Sequence, residues 1–349
     1  MNQTIQNVLE AAITVRTFPG ASVAIVQQNG TQFVHAGHTT YDKTSSKVDE
    51  HTVYDLASVT KSIPVSSLIL QLIEQGKLQL DQKVIEFIPE LQNEYRQVIT
   101  IQHLLSYTAI FDLPQGLSIY GKQGADAVLQ AIFKAPLQAP PGKRYYYTNT
   151  PALLLGLIAE RCTSKTLDVL AQEVFFEPLG MEHTTFFPER LQGVTIAPTE
   201  EDWRGVVHGA VHDEAAWALR ASNIIAGNAG LFSTAHDLAI FCQMLLGQGT
   251  FAGRQYFKPE MVRQMHTNQV AHLQESAGLG WELRQPRFMG DKASTQCFGK
   301  TGFTGTFVLI DPLKQSALVL LSNRIHPKRP PDREAINAVR RAIADLIFA

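Results

Sequence analysis

Strand-like and helix-like patterns are distributed unevenly along this chain, and that distribution limits the folds open to it. Residues 2–14 and about 333–347 carry apolar residues at helical spacing. Strand-like runs lie just inside these segments, at Ala21–Gln27, Gln32–Ala36, 294–300, Thr306–Ile310 and Ala317–Leu321. The first two flank Asn29-Gly30, a dipeptide typical of hairpin turns. We therefore expect a lobe of mixed helix and sheet built from both ends of the chain.

The middle of the chain is dominated by helical patterns. Four are predicted, at Ser62–Gln75 with Gly76 as its cap, Pro151–Arg161, Leu167–Phe175 and His236–Leu246. Residues 188–210 show no regular pattern and are expected to run irregularly over the surface. We expect one unit over 1–349, with an α+β lobe from about 1–60 and 276–349 and a mostly helical lobe over about 61–275.

Composition excludes several classes of protein. The 349 residues include 30 basic and 32 acidic side chains, so no strong field favours nucleic acid or an anionic membrane as a partner. No run approaches the roughly 18 apolar residues of a membrane span. The first residues lack the basic and apolar regions of a signal peptide, which predicts a cytoplasmic protein. The scattered Cys162, Cys242 and Cys297 are expected to be buried and neither bridged nor metal-bound.

The first motif with chemical meaning is Ser58-Val59-Thr60-Lys61, at the start of a predicted helix. Residues three apart share a helix face, so the Lys61 amine can approach the Ser58 hydroxyl. A serine needs a neighbouring base to become a good nucleophile. The pattern is common by chance, and an ordinary helix-capping serine beside an exposed lysine is the alternative.

The second motif is Tyr147-Thr148-Asn149. A phenol has a pKa near ~10, and nearby ammonium groups would favour its ionised form, which makes Tyr147 a candidate general base. Asn149 is placed to hydrogen-bond both Lys61 and a substrate carbonyl. The alternative is an aromatic cluster in the core, which we expect for at least two of the tyrosines at 145–147.

The third motif is Lys300-Thr301-Gly302. A phosphate-binding loop is rejected, because Ser294 stands where that loop needs glycine and a strand follows instead of a helix. On an edge strand, Lys300 and Thr301 would place an ammonium and a hydroxyl beside a substrate carboxylate, and Gly302 would let the backbone approach it. The backbone N–H of Phe303 would pair with that of Ser58 as an oxyanion hole.

Other catalytic arrangements are missing from the sequence. It contains neither a Gly-x-Ser-x-Gly elbow nor a His-Glu-x-x-His helix. His212-Asp213-Glu214 and His236-Asp237 lack the spacing of metal ligands. We therefore expect no metal and no cofactor.

In this order, the three motifs resemble those of the serine β-lactamase and penicillin-binding protein superfamily. A Tyr-x-Asn second motif in place of Ser-Asp-Asn resembles the class C β-lactamase-related serine hydrolases, which include esterases and D-amino-acid peptidases. The resemblance covers nearly the whole chain and extends to Val53–Lys61, Phe176–Met181, Val211–Glu214 and Gly230–Thr234. One departure follows His103-Leu104-Leu105, where many relatives carry a His-Thr-Ser-Gly turn and this chain has Ser106-Tyr107-Thr108-Ala109.

The resemblance implies a fold and a set of roles. The fold would be α+β and β-lactamase/transpeptidase-like, with an antiparallel sheet flanked by the terminal helices and an inserted helical lobe. The implied roles are an acylated Ser58, proton transfer by Lys61 and Tyr147, substrate holding by Asn149 and Lys300, carboxylate contact by Thr301, and an oxyanion hole from the Ser58 and Phe303 amides.

Three hypotheses about function follow from these residues. The first is a serine hydrolase that forms an acyl-enzyme with a small ester, peptide or β-lactam, and these three substrate classes stay open here. The alternative is a penicillin-binding protein that acylates at Ser58 with little turnover. The third is a non-catalytic scaffold, which the intact Ser58, Lys61, Tyr147 and Lys300 argue against. The partner is a small-molecule substrate, and the sequence assigns no oligomeric state.

Overall fold

The computed structural model describes residues 1–349 and contains twelve strands and thirteen helices. The strands are β1 Gly20–Gln27, β2 Gly30–Gly37, β3 Tyr54–Asp55, β4 Glu200–Asp202, β5 Gly205–Val207, β6 Phe232–Ser233, β7 Thr250–Phe251, β8 Arg254–Gln255, β9 Glu282–Leu283, β10 Phe298–Thr301, β11 Phe307–Asp311 and β12 Ser316–Ser322. The helices are α1 Asn2–Thr14, α2 Ser67–Glu74, α3 Ile101–Leu105, α4 Leu117–Gly121, α5 Ala125–Lys134, α6 Thr150–Thr163, α7 Leu167–Ala171, α8 Glu177–Leu179, α9 Glu214–Ala221, α10 Ala235–Leu246, α11 Pro259–Met265, α12 Pro286–Met289 and α13 Glu334–Ile347.

Strands from the two ends of the chain form one six-stranded antiparallel sheet in the order β2-β1-β12-β11-β10-β9. The five predicted strands are confirmed, with two shifts. Gly30 pairs with Gln27, so the hairpin turn is Gln28-Asn29 and not Asn29-Gly30. The strand predicted from residue 294 begins only at Phe298, because Ser294 instead bonds the Asp311 carboxylate.

Both faces of the sheet are buried, and alternate residues of each strand serve different cores. Val23 of β1 and Leu318 of β12 belong to the apolar core formed with α1, α12 and α13. Ala24 and Val319, their neighbours along the strands, belong to the larger core formed with the helical part of the chain. Because side chains alternate across a strand, the sheet separates two cores, with terminal helices on one side and α10 on the other.

The predicted helices are present, with breaks where the backbone departs from regular geometry. Ile63 has φ −117° and ψ 108° just before Pro64, so the regular helix begins only at Ser67. The helix that starts at Leu167 is regular to Ala171 and then continues as wider turns to Phe176. None of the helices combines the length and apolarity needed to cross a bilayer.

The surface segment 188–210 is more regular than predicted. It contains a short 3-10 turn at Pro188–Arg190 and the β4–β5 hairpin. Each hairpin strand has only three residues, too few to show a two-residue periodicity in the sequence.

The cysteine prediction is correct for two residues of three. Cys242 and Cys297 are free and buried. Cys162 is also free, but it is only half-buried, since it lies near the end of α6.

Candidate active site

The Ser58 hydroxyl and the Lys61 amine meet in a 3-10 turn, Ala57–Lys61, instead of on the predicted regular helix. Residues three apart eclipse one another in a 3-10 turn. The Lys61 Nζ accordingly lies 2.8 Å from the Ser58 Oγ, and it donates a second hydrogen bond of 2.7 Å to the Asn228 carbonyl. The alternative of an exposed lysine beside a capping serine is wrong, because Lys61 is fully buried.

The Lys61 amine has no carboxylate partner within 4.0 Å. Burial disfavours a charge that lacks a counter-ion, and the Lys300 ammonium adds repulsion, so the pKa of Lys61 is lowered to about 7. A large fraction of the amine is therefore neutral at physiological pH and able to accept a proton.

The Tyr147 phenol lies between two lysines. The Lys300 Nζ is 4.0 Å and the Lys61 Nζ 5.5 Å from the centroid of its ring. We expected these ammonium groups to lower the pKa of Tyr147. Lys300 does lower it, but the net shift is upward. Burial raises the pKa more than Lys300 and the nearby Ser58 hydroxyl lower it. Because the net effect is a raised pKa, the buried Tyr147 phenol keeps its proton at neutral pH.

Asn149 lines the same cleft as Ser58, at the start of α6, but it makes no hydrogen bond to Lys61. The Asn228 carbonyl takes that place. A Cβ at Gly227 would lie 2.1 Å from the Ala152 carbonyl oxygen, so the glycine lets this loop pack closely against α6. The Gly227-Asn228 pair was the only signal in the sequence for this contact.

Lys300 is fully buried on β10 and faces two residues that sequence reasoning missed. Its Nζ lies 3.4 Å from a Glu282 carboxylate oxygen and 3.5 Å from the Tyr107 hydroxyl. Tyr107 belongs to the turn that departs from the family pattern, and its backbone has φ +55°. The motif was predicted to lie on an edge strand. In the structure β9 is the outer strand, but it pairs only with Phe298 and Gly299, so Lys300 and Thr301 have no strand neighbour on that side.

Gly302 permits a close approach to the turn that carries Ser58. A Cβ there would lie 2.4 Å from the Leu56 carbonyl oxygen and 1.9 Å from the Thr306 Oγ1. The Thr306 hydroxyl donates to the same Leu56 carbonyl at 2.8 Å, and Thr304 donates to the Asp55 carbonyl at 2.7 Å. Gly302 and the two threonines that follow the third motif therefore brace the segment that leads into Ser58.

Neither the Ser58 nor the Phe303 backbone N–H is paired with a carbonyl of the protein. Both are therefore available to a ligand. The Phe303 ring beside them stacks on His212, with centroids 5.9 Å apart and planes at 12°.

Asp55 holds the turn before Ser58 in place. Its buried carboxylate accepts hydrogen bonds from the Ala57 N–H at 2.8 Å and from both the N–H and Nδ1 of His212, at 2.9 and 3.0 Å. Burial alone would lower the pKa of His212, but the Asp55 carboxylate raises it, and the net shift is upward. Ala57 has φ +51°, a conformation unfavourable for alanine, so these bonds stabilise a strained residue next to Ser58.

We expect Asp55→Asn to destabilise the protein, because an amide N–H₂ would face an N–H donor and leave buried groups unpaired. The free energy of unfolding should fall by about 2–3 kcal/mol, measured by urea denaturation. Asp112→Asn is the matched control, since Asp112 bonds Gln138 at the surface and should leave stability unchanged. Equal stability of the two variants would contradict the role given to Asp55.

The predicted residues meet at one cleft of about 780 Å³. Ser58, Tyr147, Asn149, Thr301 and Phe303 line it, whereas the fully buried Lys61, Lys300 and Gly302 are not on its surface. Charged groups of both signs form its walls: Asp213, Glu214, Glu275, Glu282, Arg287, Arg329 and Arg333. No three of the His, Cys, Asp and Glu side chains come together as a metal-ligand group.

Comparison with known proteins places the chain in a family. The beta-lactamase family model matches residues 4–341. A protein of Salmonella enteritidis with the provisional name D-alanyl-D-alanine carboxypeptidase is 33% identical over 312 residues, which are 79% of this chain and 70% of that protein. A protein of the same provisional name from Salmonella typhimurium is 32% identical over 310 residues, with the same coverage of both chains.

Solved structures share the fold at lower identity. EstCE1, a hydrolase with promiscuous acyltransferase activity, has a TM-score of 0.79 at 18% identity and covers 99% of this chain and 98% of its own. A penicillin-binding protein homologue from Caulobacter crescentus has a TM-score of 0.77 at 19% identity, covering 98% and 96%. The β-lactamase-like fold is thus confirmed, and the chain belongs to the beta-lactamase family of serine hydrolases.

Proposed function

We propose that this protein hydrolyses a small acyl compound through an acyl-enzyme formed on Ser58. The observation that carries the proposal is the 2.8 Å contact between the Ser58 Oγ and the buried Lys61 Nζ. A buried amine whose pKa lies near 7 is a base matched to neutral pH, and it touches the atom that must lose a proton.

In the acylation step, neutral Lys61 takes the Ser58 proton while the Oγ attacks the substrate carbonyl carbon. A C–O bond forms, and the carbonyl oxygen becomes an oxyanion. The free N–H groups of Ser58 and Phe303 are available to donate to that oxygen. Lys300 lies against the Tyr147 ring, with its charge balanced by Glu282.

Collapse of the oxyanion breaks the bond to the leaving group, which needs a proton if it departs as an amine. We assign this donation to Tyr147, because burial keeps its phenol protonated. The proton from Ser58 then passes from Lys61 to Tyr147, which restores both groups. Water attacks the Ser58 ester in the reverse sense and releases the acid.

Among the substrate classes, we favour a short peptide with a free carboxylate at its leaving end. The cleft wall is mostly polar, with 6 hydrophobic residues of 21, which suits a charged peptide better than a lipophilic ester. Thr301 and the guanidinium group of Arg333, which has no salt-bridge partner, are available for a carboxylate, whereas Arg329 is already paired with Glu200 and Glu214. The D-alanyl-D-alanine carboxypeptidase name of the Salmonella relatives supports the same class.

The activity should depend on pH through Lys61. Because the reactive form is the neutral amine, kcat/KM should rise as the pH increases through about 7, the pKa to which burial lowers Lys61. The measurement is a pH–rate profile from about pH 5.5 to 9, with circular dichroism at each pH to confirm that the fold persists. A profile that is flat or falls across this range would contradict a lysine base.

The test of the proposed function is time-resolved mass spectrometry of the intact protein mixed with benzylpenicillin or with N-acyl-D-alanyl-D-alanine. We expect a covalent adduct that disappears in Ser58→Ala, and release of D-alanine from the peptide. Release of D-alanine at the same rate by wild type and Ser58→Ala would exclude the Ser58 acyl-enzyme.

The same experiment separates the second candidate function, a penicillin-binding protein with little turnover. The observation that supports this candidate is the braced turn at Ala57 and Ser58, which favours acylation of Ser58. A penicillin adduct that persists while the peptide is not consumed would favour this candidate over a hydrolase.

A further inference from the structure

Arg324 is the residue that leads to the inference. It follows β12, and its side chain is buried, at 4% exposure. It donates from Nε to the Phe303 carbonyl at 2.9 Å and from Nη1 to the Asp332 carbonyl at 3.1 Å. Its Nη2 donates no hydrogen bond to the protein, and it forms no salt bridge. The Phe303 ring, 5.0 Å away, is the only aromatic face that it contacts.

A buried guanidinium without a carboxylate is unusual, because transfer of an unpaired charge from water is costly. Arg340 is also buried, but its Nη atoms bond the side chain of Asn337 and the carbonyls of Gly302 and Thr306. Burial and repulsion by Arg333 lower the pKa of Arg324 to about 10. The Arg324 guanidinium therefore lacks an anionic partner within the protein.

Arg324 opens into a cavity of about 500 Å³, distinct from the cleft of Ser58, which we call the Arg324 cavity. Its polar lining is Arg16, Thr17, Tyr41, Arg324, His326, Lys328 and Asp332. Arg16 and Lys328 have no salt-bridge partner, and the Nδ1 of His326 is buried without a hydrogen bond. Asp332 is the one carboxylate on the wall, and its Oδ1 accepts from the Glu334 N–H.

We propose that the Arg324 cavity binds the phosphoryl group of a small phosphate monoester. Three permanent cations face one carboxylate, which favours an anion with more than one negative charge. A guanidinium with a free Nη2 suits phosphate oxygens, and Arg16 and Lys328 complete the charge. Val15, Pro330 and Ile336 on the same wall offer apolar contact to the organic part of the ester.

The test is calorimetric titration of the full chain with glycerol 3-phosphate, inorganic phosphate and acetate in turn. We expect one saturable site for glycerol 3-phosphate, weaker binding of inorganic phosphate and none of acetate. Saturation should also raise the melting temperature by about 2–4 °C. Equal binding of acetate, or binding of inorganic phosphate without the ester, would overturn the assignment to a monoester.

Variants locate the site. Lys328→Ala removes an exposed cation that makes no hydrogen bond, so the fold should persist, and binding should weaken by about 3- to 10-fold. Arg324→Met should abolish binding. Arg333→Met is the control for the cleft of Ser58, which Arg333 lines: its loss should not weaken binding of glycerol 3-phosphate to the Arg324 cavity, because Arg333 repels Arg324 and does not line that cavity.

Two further outcomes would overturn the proposal. The first is no saturable binding of either phosphate compound to the wild-type chain. The second is binding that survives Lys328→Ala and Arg324→Met but disappears in Arg333→Met, which would place the anion in the catalytic cleft. If Arg324→Met fails to fold, Arg16→Ala and Lys328→Ala test the site instead, since both side chains are exposed. Weaker binding in both variants would support the proposal, and unchanged binding in both would overturn it.

Discussion

Ser58→Ala will abolish turnover and leave the fold intact. The Ser58 Oγ is the only hydroxyl in contact with the Lys61 amine, so alanine removes the atom to which the acyl group would bond. Loss of a nucleophile that acts with its base as a unit should lower kcat by about 10⁴- to 10⁶-fold. The measurement is D-alanine release from the acylated dipeptide, with urea denaturation to establish that stability is preserved.

Ser118→Ala is the matched control for this change. Ser118 lines the same cleft from α4, has no lysine partner and is half-buried. We expect its kcat to stay within about threefold of wild type, since it makes no contact with the proton-transfer groups. Comparable losses in both variants would mean that the Ser58 result reflects disturbance of the cleft and not loss of the nucleophile.

Lys61→Met should nearly abolish activity without destabilising the protein. Loss of a positioned general base costs about 10²- to 10⁴-fold in kcat. Methionine fills a similar volume and removes a buried amine that has no carboxylate, which offsets the loss of hydrogen bonds to Ser58 and the Asn228 carbonyl. We expect kcat to fall and the melting temperature to stay equal or rise.

Protonation of Lys61 should also make the stability of the wild-type chain depend on pH. The unfolded chain binds a proton at Lys61 up to pH ~10.4, whereas the folded chain releases it near 7. The unfolded state therefore holds more protons between these values, and this group makes stability rise with pH across that window. Lys143→Met, at an exposed lysine, is the control. A Lys61→Met variant less stable than wild type at pH 6, with Lys143→Met unchanged, would contradict this account.

The residues with local sequence signals were the predictable part of the site. Ser58 and Lys61 are three residues apart, and the spacing alone brought their side chains together. Tyr107 and Glu282 meet at Lys300 from positions far away in the chain, so no local pattern could join them. The direction of the Tyr147 pKa shift was missed because it depends on how deeply the hydroxyl is buried, which only the packed structure determines.

The fold follows a similar division. The long strands and most of the long helices had periodicity enough to be predicted, with bounds that moved by a few residues, but the ten-residue α5 was missed. The strands β4, β5 and β9 have two or three residues each and were missed. Their pairing depends on tertiary contacts, as with Glu282, whose strand is held by Phe298 and Gly299.

The groups that brace the turn at Ser58 belong to a part of the chain that is made long after Ser58 itself. Thr304 and Thr306 hold the carbonyls of Asp55 and Leu56, and Lys300 on the preceding strand lies against Tyr147. While the polypeptide emerges from the ribosome, Ser58 is thus exposed long before these groups exist. We therefore expect the nascent chain to carry an ordinary, unreactive serine, and the proposed acyl transfer to begin only when β10 and β11 dock into the sheet.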